Sequence, residues 1–353
     1  MSYTSIIIGF VLTFLLTLIT TPLIIYIAKK LGYVDRPNDR KKHNGDIPLL
    51  GGLAIIIPII GGLLYFQPEH YSLLAISIGA VLIIASGIAD DILNLKPVTK
   101  LLVQVTAAVV VLSSGIMIEK VTVPFLGSVD IGLFGYVLTV LWIVGITNAM
   151  NLIDGLDGLA TGTAGIAFVS VFVMAVGDGA ILVVTLSTVF IAALSAFLIF
   201  NFYPAKIFLG DTGSLFIGYS LAVISMLGLF KNVTVFTFIV PIVLLTIPIF
   251  DTLFAIVRRA MNKQHIMTAD RMHIHYVLLE MGLGHRKTVL LIYLFSAFFG
   301  LTAIVFTNAT TILSLFIMMG VLIVLHILAE LTGVVYNGKQ PVVNSIKRLF
   351  QYK

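Results

Sequence analysis

The chain has 353 residues, of which 59% are hydrophobic and only 10% are charged. Soluble globular domains carry about 25% charged residues, so the mean hydropathy of +1.12 excludes a soluble protein and predicts a helical protein that crosses a membrane repeatedly. The net charge of +5 does not indicate a nucleic-acid partner, because the basic residues flank the apolar runs, as the positive-inside rule describes. The chain has no cysteine, which excludes disulfides, a thiolate nucleophile and cysteine-bound metal.

The apolar runs predict an all-α polytopic membrane protein with about eleven transmembrane helices in a single domain, 1–353. The first run has no basic residue before it, which favours a retained span with the N-terminus outside over a secretory signal. Between the fourth and fifth spans, the weak alternation of residues 119–132 predicts a small hairpin. The predicted spans are 5–28, 49–66, 71–89, 101–118, 133–150, 159–176, 179–200, 212–229, 234–255, 288–307 and 310–331.

These spans put most of the positive charge on one side of the membrane. That side holds 19 of the 21 Lys and Arg residues, and only Lys120 and Lys231 fall on the other. Such asymmetry predicts that the basic side, with the C-terminus, is cytoplasmic. The same side collects the unusual aspartates, so we expect its loops to form the active site. The loops are 29–48, 90–100, 151–158, 201–211 and 256–287.

The stretch 148–158 is the most polar segment between two long apolar runs. A carboxylate near hydrocarbon is costly unless it faces water, a cation or a partner. Asp154 and Asp157 are three residues apart, so a helical turn would put both on one face, and Gly155 and Gly158 leave room for a ligand to approach the backbone. The stretch predicts a polar binding site at a membrane surface.

Three further aspartates lie at span ends. Asp90 and Asp91 end the third span, where adjacent carboxylates repel each other unless a cation neutralises them or they form a solvated helix end. Asp211 opens the eighth span within the motif 208–214. It is either a simple N-cap or a metal ligand beside a glycine-rich helix start, which suits phosphate.

Two cytoplasmic loops carry residues suited to binding a nucleobase and phosphate groups. Asn201 and Phe208 supply an amide and an aromatic face, which are what a nucleobase needs for edge recognition and stacking. In the late basic loop, His273 and His275 favour phosphate contacts beside the permanent cation Arg271, although a basic loop that touches anionic lipid is the alternative. Cytoplasmic carboxylates, basic residues and the membrane together predict Mg²⁺-dependent (or Mn²⁺-dependent) phosphoryl chemistry on a lipid.

Four motifs in this order resemble those of the polyprenyl-phosphate N-acetylhexosamine-1-phosphate transferases, a glycosyltransferase family 4 type of enzyme, over almost the whole chain. The motifs are Asp90-Asp91 and the segments 148–158, 208–214 and 270–275. The resemblance implies transfer of a sugar 1-phosphate from a UDP-sugar to undecaprenyl phosphate with release of UMP. It also implies a multi-pass bacterial plasma-membrane protein whose site faces the cytoplasm, with membrane lipid and no nucleic acid as partner; homodimer formation stays open.

The resemblance also implies roles for individual residues. Asp91 and Asp211 are expected near Mg²⁺, with Asp211 as the direct ligand, and Asp90 is expected to activate the lipid phosphate. His273, His275 and Arg271 are expected to contact the diphosphate or the sugar. The expected uridine pocket consists of Asn151, Asp154, Gly155, Leu156, Asp157, Asn201 and Phe208.

The late histidine motif separates two branches of the family. The branch that uses UDP-MurNAc-pentapeptide has three consecutive histidines, whereas this chain has His273-Ile274-His275, like the UDP-GlcNAc branch that starts teichoic acid, O-antigen or related polymers. Tyr276 departs from the histidine usual in that branch. An ion-coupled transporter is disfavoured because transporters place charges near the bilayer midplane. A CDP-alcohol phosphatidyltransferase is disfavoured because no Ala-Arg follows Asp154-Gly155.

Overall fold

The computed structural model describes residues 2–35, 46–123, 127–229, 239–261, 263, 272–307 and 309–331. Helices make up most of this part of the chain, as expected. In chain order the elements are α1 (Tyr3–Leu31), β1 (Val34–Asp35), β2 (Ile47–Pro48), α2 (Gly51–Phe66), α3 (Leu73–Leu93), α4 (Pro97–Ser113), β3 (Lys120–Val123), β4 (Gly127–Asp130), α5 (Phe134–Ile153), α6 (Leu159–Gly177), α7 (Ile181–Asn201), α8 (Gly210–Leu229), α9 (Ile239–Leu244), α10 (Thr246–Met261), α11 (Ile274–Glu280), α12 (His285–Thr307) and α13 (Thr311–Leu331).

Eight helices of the described chain are long and apolar enough to cross a membrane: α1, α3, α5, α6, α7, α8, α12 and α13. This confirms a polytopic helical membrane protein. Helices α2 and α4 are also apolar but have only 16 and 17 residues, at the lower limit for a span. The count of eleven spans and the orientation of the termini stay predictions.

The ninth predicted span, 234–255, differs from a continuous helix. Its described part is divided at Leu245 into α9 and α10, and α10 continues to Met261. Pro248 has no N–H to donate to the carbonyl of Leu244. The Thr246 hydroxyl donates to the carbonyl of Val243 at 2.7 Å, which competes with the regular helical pattern. These local effects explain the break.

Helix α8 is the most buried span of the described bundle: 89% of its membrane-spanning stretch is buried, against 22% for α1. It also has the lowest mean hydropathy of the eight candidate spans. It packs on α2, α3, α5 and α6, and small residues permit close approach. A side chain at Gly218 would lie 2.8 Å from the Cα of Thr147 in α5. The hydroxyl of Tyr219 donates to the carbonyl of Ile76 in α3 at 2.9 Å.

At the end of the bundle away from the motifs, β3 and β4 form the small hairpin predicted for 119–132. The strands pair antiparallel from Lys120 opposite Asp130 to Val123 opposite Gly127. At the other end, β1 pairs with β2, and the chain after β2 runs beside the start of α8. The N–H of Gly52 donates to the carbonyl of Leu209 at 2.9 Å.

Candidate active site

The first turn of α8 is capped by a side chain from another helix. Asp91, near the end of α3, accepts the N–H of Asp211 at 2.8 Å, the N–H of Thr212 at 3.1 Å and the Thr212 hydroxyl at 2.6 Å. Gly87 makes this possible, since a side chain there would overlap the Thr212 backbone. The interpretation of Asp211 as a simple N-cap is therefore wrong: Asp211 lies in the first turn, and Asp91 caps the helix.

Two carboxylates converge on one ammonium group beside this cap. Lys100 Nζ in α4 lies 2.7 Å from Asp90 Oδ2 and 2.8 Å from Asp211 Oδ2. The other oxygen of Asp90 accepts the N–H of Leu95 at 2.6 Å. In the sequence, Lys100 is only one of the basic residues that predict the topology. Its position at the start of an apolar helix, ten residues after an acidic pair, is the signal that would have found it.

This carboxylate pair fits a hard divalent cation. Carboxylate oxygens that meet at one cationic atom are donors of the kind that Mg²⁺ prefers, and Mg²⁺ is usually bound by one or two carboxylates together with substrate phosphates. Within the described ranges, no group of three or more acidic or histidine side chains is arranged as a complete metal cage. Asp211 is the donor best directed for such an ion, because both oxygens of Asp91 accept the hydrogen bonds of the α8 cap and Asp90 Oδ1 accepts the N–H of Leu95.

Asn151 links α5 to the same helix start. Its Nδ2 donates to the hydroxyl of Ser214 at 2.8 Å, and this hydroxyl in turn donates to the carbonyl of Gly210 at 3.0 Å. One turn earlier, the Nδ2 of Asn148 donates to Gln104 Oε1 in α4 at 2.5 Å. The amides of α5 thus join this helix to α8 on one side and to α4 on the other.

The segment 154–158 is a non-helical turn between α5 and α6, so the expected helical turn with both aspartates on one face is wrong. Gly158 has φ +79°, a left-handed conformation that favours glycine. It precedes the first residue of α6 and separates this helix from α5. Asp157 Oδ2 accepts the N–H of Ala205 at 2.9 Å, which joins the turn to the loop before α8. Leu156 is partly buried and packs on the hydrophobic core.

Asp154 follows the last residue of α5 and is half-buried. Burial raises its pKa to about 8, and the charges of Asp211, Asp91 and Asp157 act in the same direction. Part of its surface remains in contact with solvent, so the proton can exchange. A carboxyl that keeps its proton at pH 7 is a hydrogen-bond donor as well as an acceptor.

The loop between α7 and α8 contains the two residues expected to recognise a nucleobase. Asn201 is only 2% exposed; its Nδ2 donates to the carbonyl of Ile207 at 2.9 Å, and its Oδ1 accepts the Thr161 hydroxyl at 2.7 Å. The amide therefore shapes the loop. Phe208 is half-buried and its backbone pairs with Pro48 at 2.9 Å. The substrate roles of both residues stay predictions.

The two motif histidines lie at the start of α11 and are both buried. His273 Nδ1 lies 2.7 Å from Asp251 Oδ2 in α10. The ring of His275 lies against Gly155, where a side chain would overlap it, so the histidine motif touches the 154–158 turn. Arg271 lies outside the described residues.

A carboxylate pair that suits a divalent cation, at the end of a bundle of membrane-length helices, is the arrangement expected of a membrane-bound transferase of phosphorylated substrates. The chain belongs to glycosyl transferase family 4, whose family model matches residues 73–229. The family predicted from the four motifs is thereby confirmed.

Its relatives carry more specific names. It is 47% identical over 349 residues, covering 98% of this chain and 97% of the relative, to a probable undecaprenyl-phosphate N-acetylglucosaminyl 1-phosphate transferase of Bacillus subtilis. It is 33% identical, over 92% and 87% of the two chains, to a decaprenyl-phosphate N-acetylglucosaminephosphotransferase of Mycolicibacterium smegmatis. It is 28% identical, over 77% and 76%, to an undecaprenyl-phosphate alpha-N-acetylglucosaminyl 1-phosphate transferase of Escherichia coli.

Proposed function

We propose that this protein transfers GlcNAc 1-phosphate from UDP-GlcNAc to undecaprenyl phosphate, giving undecaprenyl-diphosphate-GlcNAc and UMP. The observation that carries the proposal is the convergence of Asp90 and Asp211 on one cationic atom beside the start of α8. The B. subtilis relative, matched over nearly both whole chains, bears the name of this activity. The product would start teichoic acid or another polymer of the cell envelope.

In this reaction, an oxygen of the lipid phosphate forms a bond to the phosphorus that carries the sugar. The bond from that phosphorus to UMP breaks, and UMP leaves. Asp90 activates the lipid phosphate by accepting its proton, and its bonds to Lys100 and Leu95 hold the carboxylate in one position. Asp211, with Asp90 and Asp91 beside it, would hold Mg²⁺, which when bound supplies positive charge that neutralises the diphosphate.

The remaining residues bind and orient the UDP-sugar. The first N–H groups of α8 already donate to Asp91, so Lys100 supplies the positive charge beside the diphosphate. Phe208 offers a face for stacking the uracil ring. The protonated carboxyl of Asp154 donates a hydrogen bond to the nucleotide without adding negative charge. Asn201 and Asp157 maintain the loop that carries Phe208.

The proposal includes a cytoplasmic site in a bacterial plasma membrane. Its support is the charge asymmetry of the loops together with the eight membrane-length helices of the described chain. Labelling of single cysteines introduced at Lys96 and at Asp130, in intact cells and in inverted vesicles, tests it. A cysteine at position 96 that reacts in intact cells with an impermeant reagent would reverse the orientation.

The decisive experiment measures UMP release by the purified protein with undecaprenyl phosphate, Mg²⁺ and either UDP-GlcNAc or UDP-MurNAc-pentapeptide. We expect release with UDP-GlcNAc alone. We also expect the isosteric variant Asp211→Asn to insert and fold but to release less than about a hundredth as much UMP, because loss of one preorganised electrostatic contact costs about 10²–10³ in turnover. Release only with the pentapeptide would refute the donor, and full activity of Asp211→Asn would refute the metal assignment.

A further inference from the structure

Asp251 is a buried carboxylate that no motif contains. It lies in α10, and its side chain is 5% exposed, beside the 6% exposed side chain of His273. Its Oδ2 lies 2.7 Å from His273 Nδ1, and its Oδ1 accepts the N–H of Ile274 at 2.7 Å. Both oxygens are therefore used to hold the first residues of α11 against α10, 22 and 23 residues away in the chain.

These contacts define the protonation pattern of the His273 ring. A carboxylate accepts hydrogen bonds and donates none, and the N–H of Ile274 requires an acceptor at the same group. The ring proton that Asp251 accepts is thus assigned to Nδ1, which leaves Nε2 as the nitrogen available to a substrate. A carboxylate bound to one ring nitrogen fixes both the tautomer and the ring orientation, as it does for histidines in metal sites.

The same contacts hold the neighbouring histidine in place. The rings of His273 and His275 are almost parallel, with centroids 5.8 Å apart and an angle of 3°. His275 is 1% exposed, and neither of its ring nitrogens has a hydrogen-bond partner among the described residues. Burial lowers the pKa of His275 to about 4, so the ring is neutral at pH 7. Buried polar groups are normally paired, so the two ring nitrogens of His275 beside Gly155 are available to a ligand.

We propose that Asp251 is a positioning residue of the transferase: it sets the His273 tautomer and fixes α11, so that His273 Nε2 and the His275 ring meet polar oxygens of the bound UDP-sugar. This inference rests on the proposed function and deepens it. Asp251 acts through His273 and does not itself touch the substrate.

The test uses the isosteric variant Asp251→Asn in the full-length protein. The amide oxygen accepts from one of the two donors, and the amide NH₂ then faces the other site as a donor. With NH₂ facing Nδ1, the His273 ring must carry its proton on Nε2. We expect ¹⁵N NMR of histidine-labelled protein to show an Nδ1–H signal for His273, assigned by its loss in His273→Gln. In Asp251→Asn we expect an Nε2–H signal for this ring instead.

The kinetic expectation is a loss of about 10–100-fold in kcat for Asp251→Asn, the usual cost of removing a carboxylate that orients a histidine, with the KM for undecaprenyl phosphate unchanged. Asp251→Glu keeps both acceptor oxygens and should recover part of the loss. The double variant Asp251→Asn/His273→Gln should be no slower than His273→Gln alone, because residues that act through each other are not additive. Asp130→Asn, at an exposed carboxylate of the β3–β4 hairpin, is the matched control.

An Nε2–H tautomer of His273 in the unmodified protein would overturn the inference, and so would fully additive losses in the double variant. If Asp251→Asn does not survive purification, the tautomer of the unmodified protein decides. Absence of UMP release by the unmodified protein refutes the proposed function instead, and the ring spectrum still decides whether Asp251 positions His273.

Discussion

Replacing Lys100 by methionine tests the centre of the site most directly. The change keeps most of the side-chain volume and removes an ammonium that lies 2.7 Å from Asp90 and 2.8 Å from Asp211. Hydrogen bonds to charged groups contribute about 1.5–3 kcal/mol each. Because the three side chains are 22%, 11% and 30% exposed, water partly screens the loss, and about 2–3 kcal/mol in total is expected without a divalent cation.

For a chain of this size, that loss corresponds to a fall of about 3 °C in the unfolding midpoint. Mg²⁺ should restore most of it, since a divalent cation can take the place of the ammonium between the two carboxylates. Half-maximal stabilisation should need less Mg²⁺ in Lys100→Met than in the unmodified protein, where Lys100 competes. UMP release should nevertheless fall, because positive charge beside the diphosphate is lost.

The assay is thermal unfolding in detergent with chelator and across a Mg²⁺ series, with Lys96→Met as the control at an exposed lysine one turn away. Equal midpoints for the two variants in chelator would refute the reasoning about Lys100. An unchanged Mg²⁺ requirement would show that the cation binds elsewhere.

Three other predictions concern neighbouring residues. The pKa of Asp154 is raised to about 8, so the carboxyl loses its proton as the pH rises from 7 to 9, and the added negative charge should weaken UDP binding about fivefold. Calorimetry should show this pH dependence in the unmodified protein and a flat profile in Asp154→Asn. A pH dependence that persists in the variant would assign the titration to another group. Gly52→Ala should lower the free energy of unfolding by about 1–3 kcal/mol, because the new Cβ would lie 2.5 Å from the Gly213 backbone nitrogen. The control Gly165→Ala has open space around its Cβ, so its unfolding midpoint should not change. Phe208→Ala should raise the KM for UDP-GlcNAc through lost base stacking, about 1–3 kcal/mol, and an unchanged KM would remove Phe208 from the pocket.

The apolar runs predicted most of the helices closely. Predicted spans 288–307 and 310–331 correspond to α12 and α13, which begin at His285 and Thr311, because twenty apolar residues in lipid have few alternatives to a helix. The division of the ninth span depends on where Pro248 and Thr246 act within one apolar run, and hydropathy carries no record of this local hydrogen bonding.

The sequence predicted which aspartates come together better than it predicted how their side chains contact one another. Motif order identified Asp90, Asp91 and Asp211, but the cap that Asp91 gives α8 joins residues 120 apart in sequence, and no spacing rule predicts it. Asp251 left a usable signal: it is the single acidic residue of the predicted span 234–255, and an ionisable residue inside a span favours a functional role. In the sequence, Lys100 could not be distinguished from the other basic residues at the ends of the predicted spans.

The burial of α8 has a consequence for how the protein is made. A segment with the lowest mean hydropathy of the eight candidate spans gains little from lipid by itself, yet it carries Asp211 and occupies the centre of the bundle. Its stable insertion is expected to depend on helices already in the membrane, and its main packing partners, α2, α3, α5 and α6, all precede it in the chain. The main packing partners of α8 are therefore synthesised before it, and they can form a protein surface against which this least hydrophobic span inserts.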